Sequence, residues 1–267
     1  MFSVSQANAI YGINNSMNEM NKLNHQLETG KRINKAADDS SGMAIANQLR
    51  AEYEGLSQAV RNSKDAINLT NIADGALQEY TDILMQIKEK SLQAVSDSNS
   101  SESREAIQND INELIKSAEN IATSTSFNGI NLLDGTFTDK VFQTGAHSGN
   151  TTKITIDSVK TSDLGIDALD VSDSTNASAA VDSIEAAIKS LDGIRSSIGS
   201  VTNGLESKIR NMDNTIINLQ EAESTIRDVD EAQARADLDK WNVRNQAAMF
   251  SFQMASNQQQ NILRLFQ

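Results

Sequence analysis

Apolar side chains recur along most of this chain at steps of three and four, the spacing that gathers them on one face of an α-helix. The first stripe is Ile10, Ile13, Met17, Met20, Asn24 and Leu27, a coiled-coil seam with one polar position, flanked by a face rich in Asn and Lys. Residues 30–42 interrupt it and read as a linker in which Asp38, Asp39 or Ser40 caps the next helix. Helical periodicity resumes at Met43 and runs through Leu49, Tyr53, Leu56, Val60 and Ile67 to about Val95. A Ser-rich turn at 96–103 leads into another helix, with Ile107, Ile111, Leu114, Ala118 and Ile121 on one side.

Near Ser126 the period changes. Asn128-Gly129 and Asp134-Gly135 are turn signals, and Lys153-Ile154-Thr155-Ile156-Asp157 alternates with period two, so 127–160 is expected to be a small β-rich excursion of one or two hairpins. The Ser/Asp/Asn/Ala-rich stretch 161–180 reads as weakly structured. A long helix is expected over about 181–229, from Ile184 and Ile188 to Ile226 and Val229, roughly 70 Å at 1.5 Å per residue. The tail carries a second seam: Leu238, Trp241, Asn245, Ala248, Phe252, Ala255, Gln259, Ile262 and Phe266. Short isolated helices are marginal, so the two terminal seams are expected to pair with each other. Apolar surface left over after that pairing needs further copies of the chain to cover it.

Composition sharpens this picture. Among 267 residues there is no proline, where average usage near 5% would place roughly a dozen. A chain without proline accommodates long uninterrupted helices. Aromatics are only 4%, which favours narrow seams of small aliphatics over a bulky core. The net charge of −13, with no long basic run, argues against nucleic acid as a partner. No apolar run approaches the roughly 18 residues of a membrane span, and the N-terminus shows neither the basic nor the apolar part of a cleaved leader. The absence of cysteine removes disulfides, thiol catalysis and Cys-based zinc sites together.

The search for chemistry returns little. His25 and His147 stand alone, without the His-Glu-x-x-His spacing of a zinc helix. Asp170, Asp173 and Asn176 do not alternate as calcium-loop ligands do. Asp38-Asp39 reads as a cap rather than an acid/base pair, because adjacent residues there point in different directions. Gly30-Lys31 lacks the rest of a phosphate loop. No catalytic constellation, cofactor or metal is expected. Trp241, Phe250 and Phe252 read as surface for a partner helix.

The stretch Leu27-Glu28-Thr29-Gly30-Lys31-Arg32-Ile33-Asn34-Lys35-Ala36-Ala37-Asp38-Asp39-Ser40-Ser41-Gly42-Met43-Ala44-Ile45-Ala46 closely resembles the N-terminal signature of bacterial flagellin. Phe127-Asn128-Gly129, Leu132-Leu133-Asp134-Gly135 and Phe142-Gln143-Thr144-Gly145-Ala146 are similar to that family's core turns. Ile226-Arg227-Asp228-Val229-Asp230 and Gln258-Gln259-Gln260-Asn261-Ile262-Leu263-Arg264-Leu265-Phe266 are similar to its C-terminal signature, without a proline often found there.

The resemblance implies a mainly α fold: an elongated helical bundle or coiled coil with a small β-hairpin excursion and paired N- and C-terminal helices. It implies an inner domain of 1–45 with 232–267 and an outer helical domain of 46–231, with only a short remnant at 161–180 where variable outer domains insert. The function implied is that of a structural subunit polymerising into the extracellular filament used for swimming. A hook–filament junction protein is the alternative, although such proteins carry proline after the acidic pair. Expected partners are further copies of the chain, the hook-associated junction and cap proteins, an export chaperone on the C-terminal segment through Trp241, Phe252 and Phe266, and the flagellar type III export apparatus. Both ends are expected to order only on polymerisation. The family's innate-immune receptor reads a helix matching Gln86, Ile87, Lys88, Glu89 and Lys90. Gln86 and Lys90 stand where recognised members have Arg and Leu, and Asp110 stands for Glu, so weak activation is implied.

Overall fold

The computed structural model describes residues 4–265, and the side chains of all of these except Ser5, Gln259 and 261–265. The elements are α1 (Val4–Thr29), α2 (Ser40–Val95), α3 (Ser101–Ser124), β1 (Ser126–Phe127), β2 (Ile130–Asn131), β3 (Lys140–Gln143), β4 (Thr151–Ile154), α4 (Ser174–Arg227) and α5 (Glu231–Leu265). The fold is therefore mainly α, with two small antiparallel hairpins, β1–β2 and β3–β4. It divides into two compact units: Met1–Glu52 with Ile217–Gln267, and Tyr53–Ile216.

The 53–216 unit owns the large core. Along α2 the buried line is Ala66, Leu69, Ala73, Leu77, Tyr80, Leu84, Ile87 and Ala94. It meets Ile107, Ile111, Ala118 and Ala122 of α3, and Ala177, Ala180, Ile184, Ala187, Leu191, Ile198 and Leu205 of α4. The frequent alanines keep the seams narrow, as the scarcity of aromatics demanded. Polar contacts fix the register of α2 on α4: the Thr70 and Thr202 hydroxyls lie 3.1 Å apart, and Arg195 Nε donates to Asp74 at 2.9 Å. Tyr80 is fully buried with no partner for its hydroxyl, and burial pushes its phenol well above the usual tyrosine range.

The β excursion roofs this core. Asn128 (φ 49°) and Gly129 (φ 78°) form the two-residue turn of β1–β2, both in the left-handed region that such tight hairpins require. Ile154 and Ile156 are both buried, as the alternation expects, but the β3–β4 ladder ends at Ile154. Beyond it the backbone pairs elsewhere, Ile156 N–H donating to the Phe137 carbonyl and Val159 N–H to that of Leu133.

The stretch 161–180 differs from its weakly structured reading. Helix α4 begins at Ser174, capped by Asp173, whose carboxylate accepts the Asn176 N–H at 2.8 Å. Before it, Ile166, Leu169 and Val171 are buried. Side chains of α3 hold the backbone there: Glu119 accepts from both the N–H and the hydroxyl of Thr161, and the Gln108 amide bridges the Leu169 carbonyl and the Val171 N–H. Three well-placed aliphatics outweigh the polar composition. At the other ends, α2 starts at Ser40 rather than Met43, and α4 stops at Arg227 rather than Val229.

Candidate functional site

The unit formed by 1–52 and 217–267 brings together the two stretches that stood out in the sequence. Helix α1 ends at Gly30, whose φ of 67° is the left-handed stop of a helix C-terminus. The connection to α2 then lies along the connection between α4 and α5. Arg32 N–H donates to the Arg227 carbonyl at 2.7 Å, Val229 N–H to that of Gly30 at 3.0 Å, and the Arg32 guanidinium to the Ile226 carbonyl at 2.6 Å. Arg227 returns a bond from Nε to the Ile33 carbonyl, while its Nη1 faces Glu223 at 3.6 Å in a nearly buried pair. Ile33 is buried beneath this junction.

The acidic pair splits into two tasks. Asp39 caps α2, accepting the Gly42 N–H at 2.8 Å. Asp38 accepts the N–H groups of Lys35 at 2.9 Å and Asn34 at 3.0 Å, and these bonds hold its carboxyl below the usual aspartate range. Gly42 is forced by packing: a Cβ there would collide with the Asp39 carboxylate and sit 2.9 Å from Ile33 Cδ1.

Helices α1 and α5 pack along each other. On α5 the covered line is Ala234, Leu238, Trp241, Asn245, Ala248, Phe252 and Ala255, which is the expected seam extended one step toward its N-terminus. The expected Gln259 and Ile262 lie beyond the described side chains, and Phe266 lies outside the described residues. On α1 the line is Gln6, Ala9, Ile13, Ser16, Met20, Leu23 and Leu27. It shares Ile13, Met20 and Leu27 with the expected stripe, and Ile10 beside it is half-buried as these three are, whereas Met17 is 49% exposed and Asn24 faces outward.

Size explains the shift. Ala9 and Ser16 let α5 come close, and a Cβ on Gly12 would touch Ala248 at 3.6 Å. Ser16 satisfies its own hydroxyl on the Gly12 carbonyl at 2.8 Å. Asn245 is the polar register point, its Nδ2 donating to Met20 Sδ at 3.7 Å, with its Oδ1 buried and unpartnered. Trp241 is half-buried, its ring covered by the Arg244 guanidinium 4.8 Å from the centroid.

Of the three aromatics read as surface for a partner helix, Trp241 and Phe252 lie on the seam, while Phe250 lies on the reverse face, of which the sequence reading assigned nothing else. Val243, Phe250 and Met254 of α5 are exposed, two residues and thus about 200° around from the seam positions. Phe250 is 67% and Met254 74% accessible. Val4 and Tyr11 form the matching outward pair on α1. A second stripe at a step of seven was the available signal. Single exposed apolar residues need no explanation, but rows of large ones on two packed helices mark a surface for another protein.

In the other unit, the stretch from Gln86 to Lys90 lies on α2. Ile87 is buried in the core, while Gln86 and Glu89 are exposed. Lys88 pairs with Glu185 at 2.7 Å, and Lys90 with Asp110 at 2.6 Å. Two side chains singled out separately in the sequence thus meet each other.

Known proteins are similar to this chain at both ends. The sequence model of the bacterial flagellin N-terminal helical region matches residues 3–138, and that of its C-terminal helical region matches 181–266. Flagellin of Halalkalibacterium halodurans is 37% identical over 256 residues, covering 95% of this chain and 93% of that protein. The flagellar filament 30.7 kDa core protein of Treponema maltophilum is 33% identical over 274 residues, covering 97% of this chain and 95% of that protein. The crystal structure of Bacillus cereus flagellin superposes with a TM-score of 0.52 at 25% identity, over 57% of this chain and 88% of that one. Matched at both ends, and along nearly the whole length of short relatives, the chain belongs to the bacterial flagellin family.

Proposed function

We propose that this chain is the repeating subunit of an extracellular flagellar filament, joined to its neighbours through the outward apolar faces of α1 and α5. The observation that carries the reading is the pair of exposed stripes on the back of the terminal seam, Val4 and Tyr11 on α1 and Val243, Phe250 and Met254 on α5. One copy cannot cover both. Head-to-tail contacts that do not close generate an open helical polymer, in which each stripe is buried by another copy. The protein's part is structural, with no catalytic role. Purified chain added to sheared flagellar fragments is expected to extend them into micrometre filaments by electron microscopy; a stable monomer that leaves the fragments unextended overturns the reading.

Export precedes assembly in this reading. The chain passes through the flagellar type III apparatus, and the filament it forms meets the hook-associated junction and cap proteins at its ends. A chain lacking disulfides and slow prolyl isomerisation suits threading and rapid refolding. An export chaperone holds the C-terminal segment as a helix in a groove, through Trp241, Phe252 and Phe266. Trp241 and Phe252 face α1 in the folded subunit, so this contact belongs to the chain before α1 and α5 pair. Co-purification of the chaperone with the full chain, and its loss on removing 235–267, is the expected result.

The α2 surface bears on immune recognition. With Lys90 drawn to Asp110, it offers a charged pair where recognised flagellins present Leu, and the exposed amide of Gln86 where they present Arg. Weak activation of reporter cells by the monomer is expected, and full-strength activation would contradict this part.

A further inference from the structure

The outward face of α5 repeats the spacing of its seam. Val243, Ala247, Phe250 and Met254 follow one another at steps of four, three and four, and each of them is exposed. That spacing suits cover by another helix. Met254 is the last apolar member of the row, since Asn257 and Gln258 come next on that side. It is 74% accessible, more than any other described methionine. Met17, Met85 and Met249 are about half exposed, Met20 and Met43 are half-buried, and Met212 is buried. The chain has no cysteine, so thioethers are its only sulfur nucleophiles.

We propose that Met254 is an oxidation switch in the assembly surface: a peroxide converts its thioether to the sulfoxide in the unassembled chain, and the oxidised chain no longer enters the filament. The inference rests on the filament reading. The sulfur lone pair attacks one peroxide oxygen, the O–O bond breaks and an S–O bond forms. The proton on the transferred oxygen passes to the departing hydroxide, so the sulfur loses two electrons and the peroxide is reduced to water. In the free chain the new oxygen stays in water and the fold is undisturbed. In the polymer another copy covers this face. A helical side chain lies over the turn N-terminal to its own Cα, which for Met254 is the turn of Phe250 rather than that of Asn257 and Gln258. The sulfoxide acceptor is then buried beside Phe250 and Ala247, whose side chains have no donor to offer. Burying an unpartnered acceptor is costly, whereas a thioether packs into such a row without penalty. The same cover shields the sulfur from peroxide once the subunit is in place.

The test treats the full chain with hydrogen peroxide, free and assembled, and locates the sulfoxides by peptide mass spectrometry. Seeded elongation of the parent, M254L and M249L is then measured before and after treatment of the free chain. Treatment is expected to raise the parent's critical concentration about tenfold or more, with its thermal unfolding unchanged. Methionine sulfoxide reductases should restore elongation. Untreated M254L should elongate like the parent, because Leu keeps the volume and removes the sulfur, and treated M254L should elongate as before. Treated M249L should lose elongation as the parent does. In filaments, Met254 should oxidise far more slowly than in the free chain. A treated parent whose Met254 is converted yet elongates normally overturns the proposal. So does a treated M254L that loses elongation with the parent, which assigns the effect to another methionine, or a Met254 that oxidises equally fast in filaments. An untreated parent that extends no seed overturns the filament reading, and the switch with it.

Discussion

Adjacent carboxylates do unlike work here because the backbone turns between them. Asp39 serves the first turn of α2, and its replacement by Ala removes the acceptor for the Gly42 N–H. The expected cost is about 1 kcal/mol, read by denaturant unfolding. Asp38 stabilises the connection only while ionised. Its pKa in the folded chain is lowered by the Lys35 and Asn34 N–H groups, so its contribution is complete above its ordinary value of 3.8 and is lost as pH falls through the lower folded value. Amide exchange at Asn34 and Lys35 should therefore be slow and flat above about pH 5, once corrected for intrinsic rates, and lose protection below about pH 4. Loss of protection on raising the pH instead would contradict the assignment.

The helices obey the spacing of their apolar residues wherever those residues face a core. The α5 seam and the buried lines of α3 and α4 were legible because one large side chain marks nearly every turn, whereas on α2 only Val60 of the five residues expected is buried, and alanines such as Ala66 and Ala73 carry much of the line. On α1 the covered line was legible only in part, since Ile10 and Met17 outrank Ala9 and Ser16 in hydrophobicity, while close packing prefers the smaller pair. The segment before α4 was missed for a related reason: Ser and Asp dominate its composition, yet Ile166, Leu169 and Val171 fix its path. The splitting of Asp38 from Asp39, and the docking of 30–33 on 226–229, depend on backbone geometry that no periodicity encodes.

Glycines at Gly193 and Gly204 are a further property of α4. Both are exposed, and a Cβ at either meets nothing within 4 Å. Each Gly→Ala substitution should stabilise the isolated subunit by about 1 kcal/mol, measured by thermal unfolding, because only helix propensity changes. By contrast Ile87→Ala, at a fully buried site, should cost about 2–5 kcal/mol.

For the whole molecule, composition and the terminal signatures indicated the class of protein, and the structure adds the exposed apolar stripes on which the proposed assembly rests. Half of each terminal helix is covered by the other, and the remaining half carries large apolar side chains. That division is the account's central claim: the outward stripe contributes to the polymer and hardly to the folded subunit. It is tested most directly by the critical concentration for seeded elongation of F250S/M254S, measured beside the thermal unfolding of its monomer. Burial of two such side chains is worth about 1.5–3 kcal/mol each, so the critical concentration should rise at least about a hundredfold with unfolding unchanged. A variant that elongates at the parent's critical concentration, or one whose monomer unfolds instead, would contradict it.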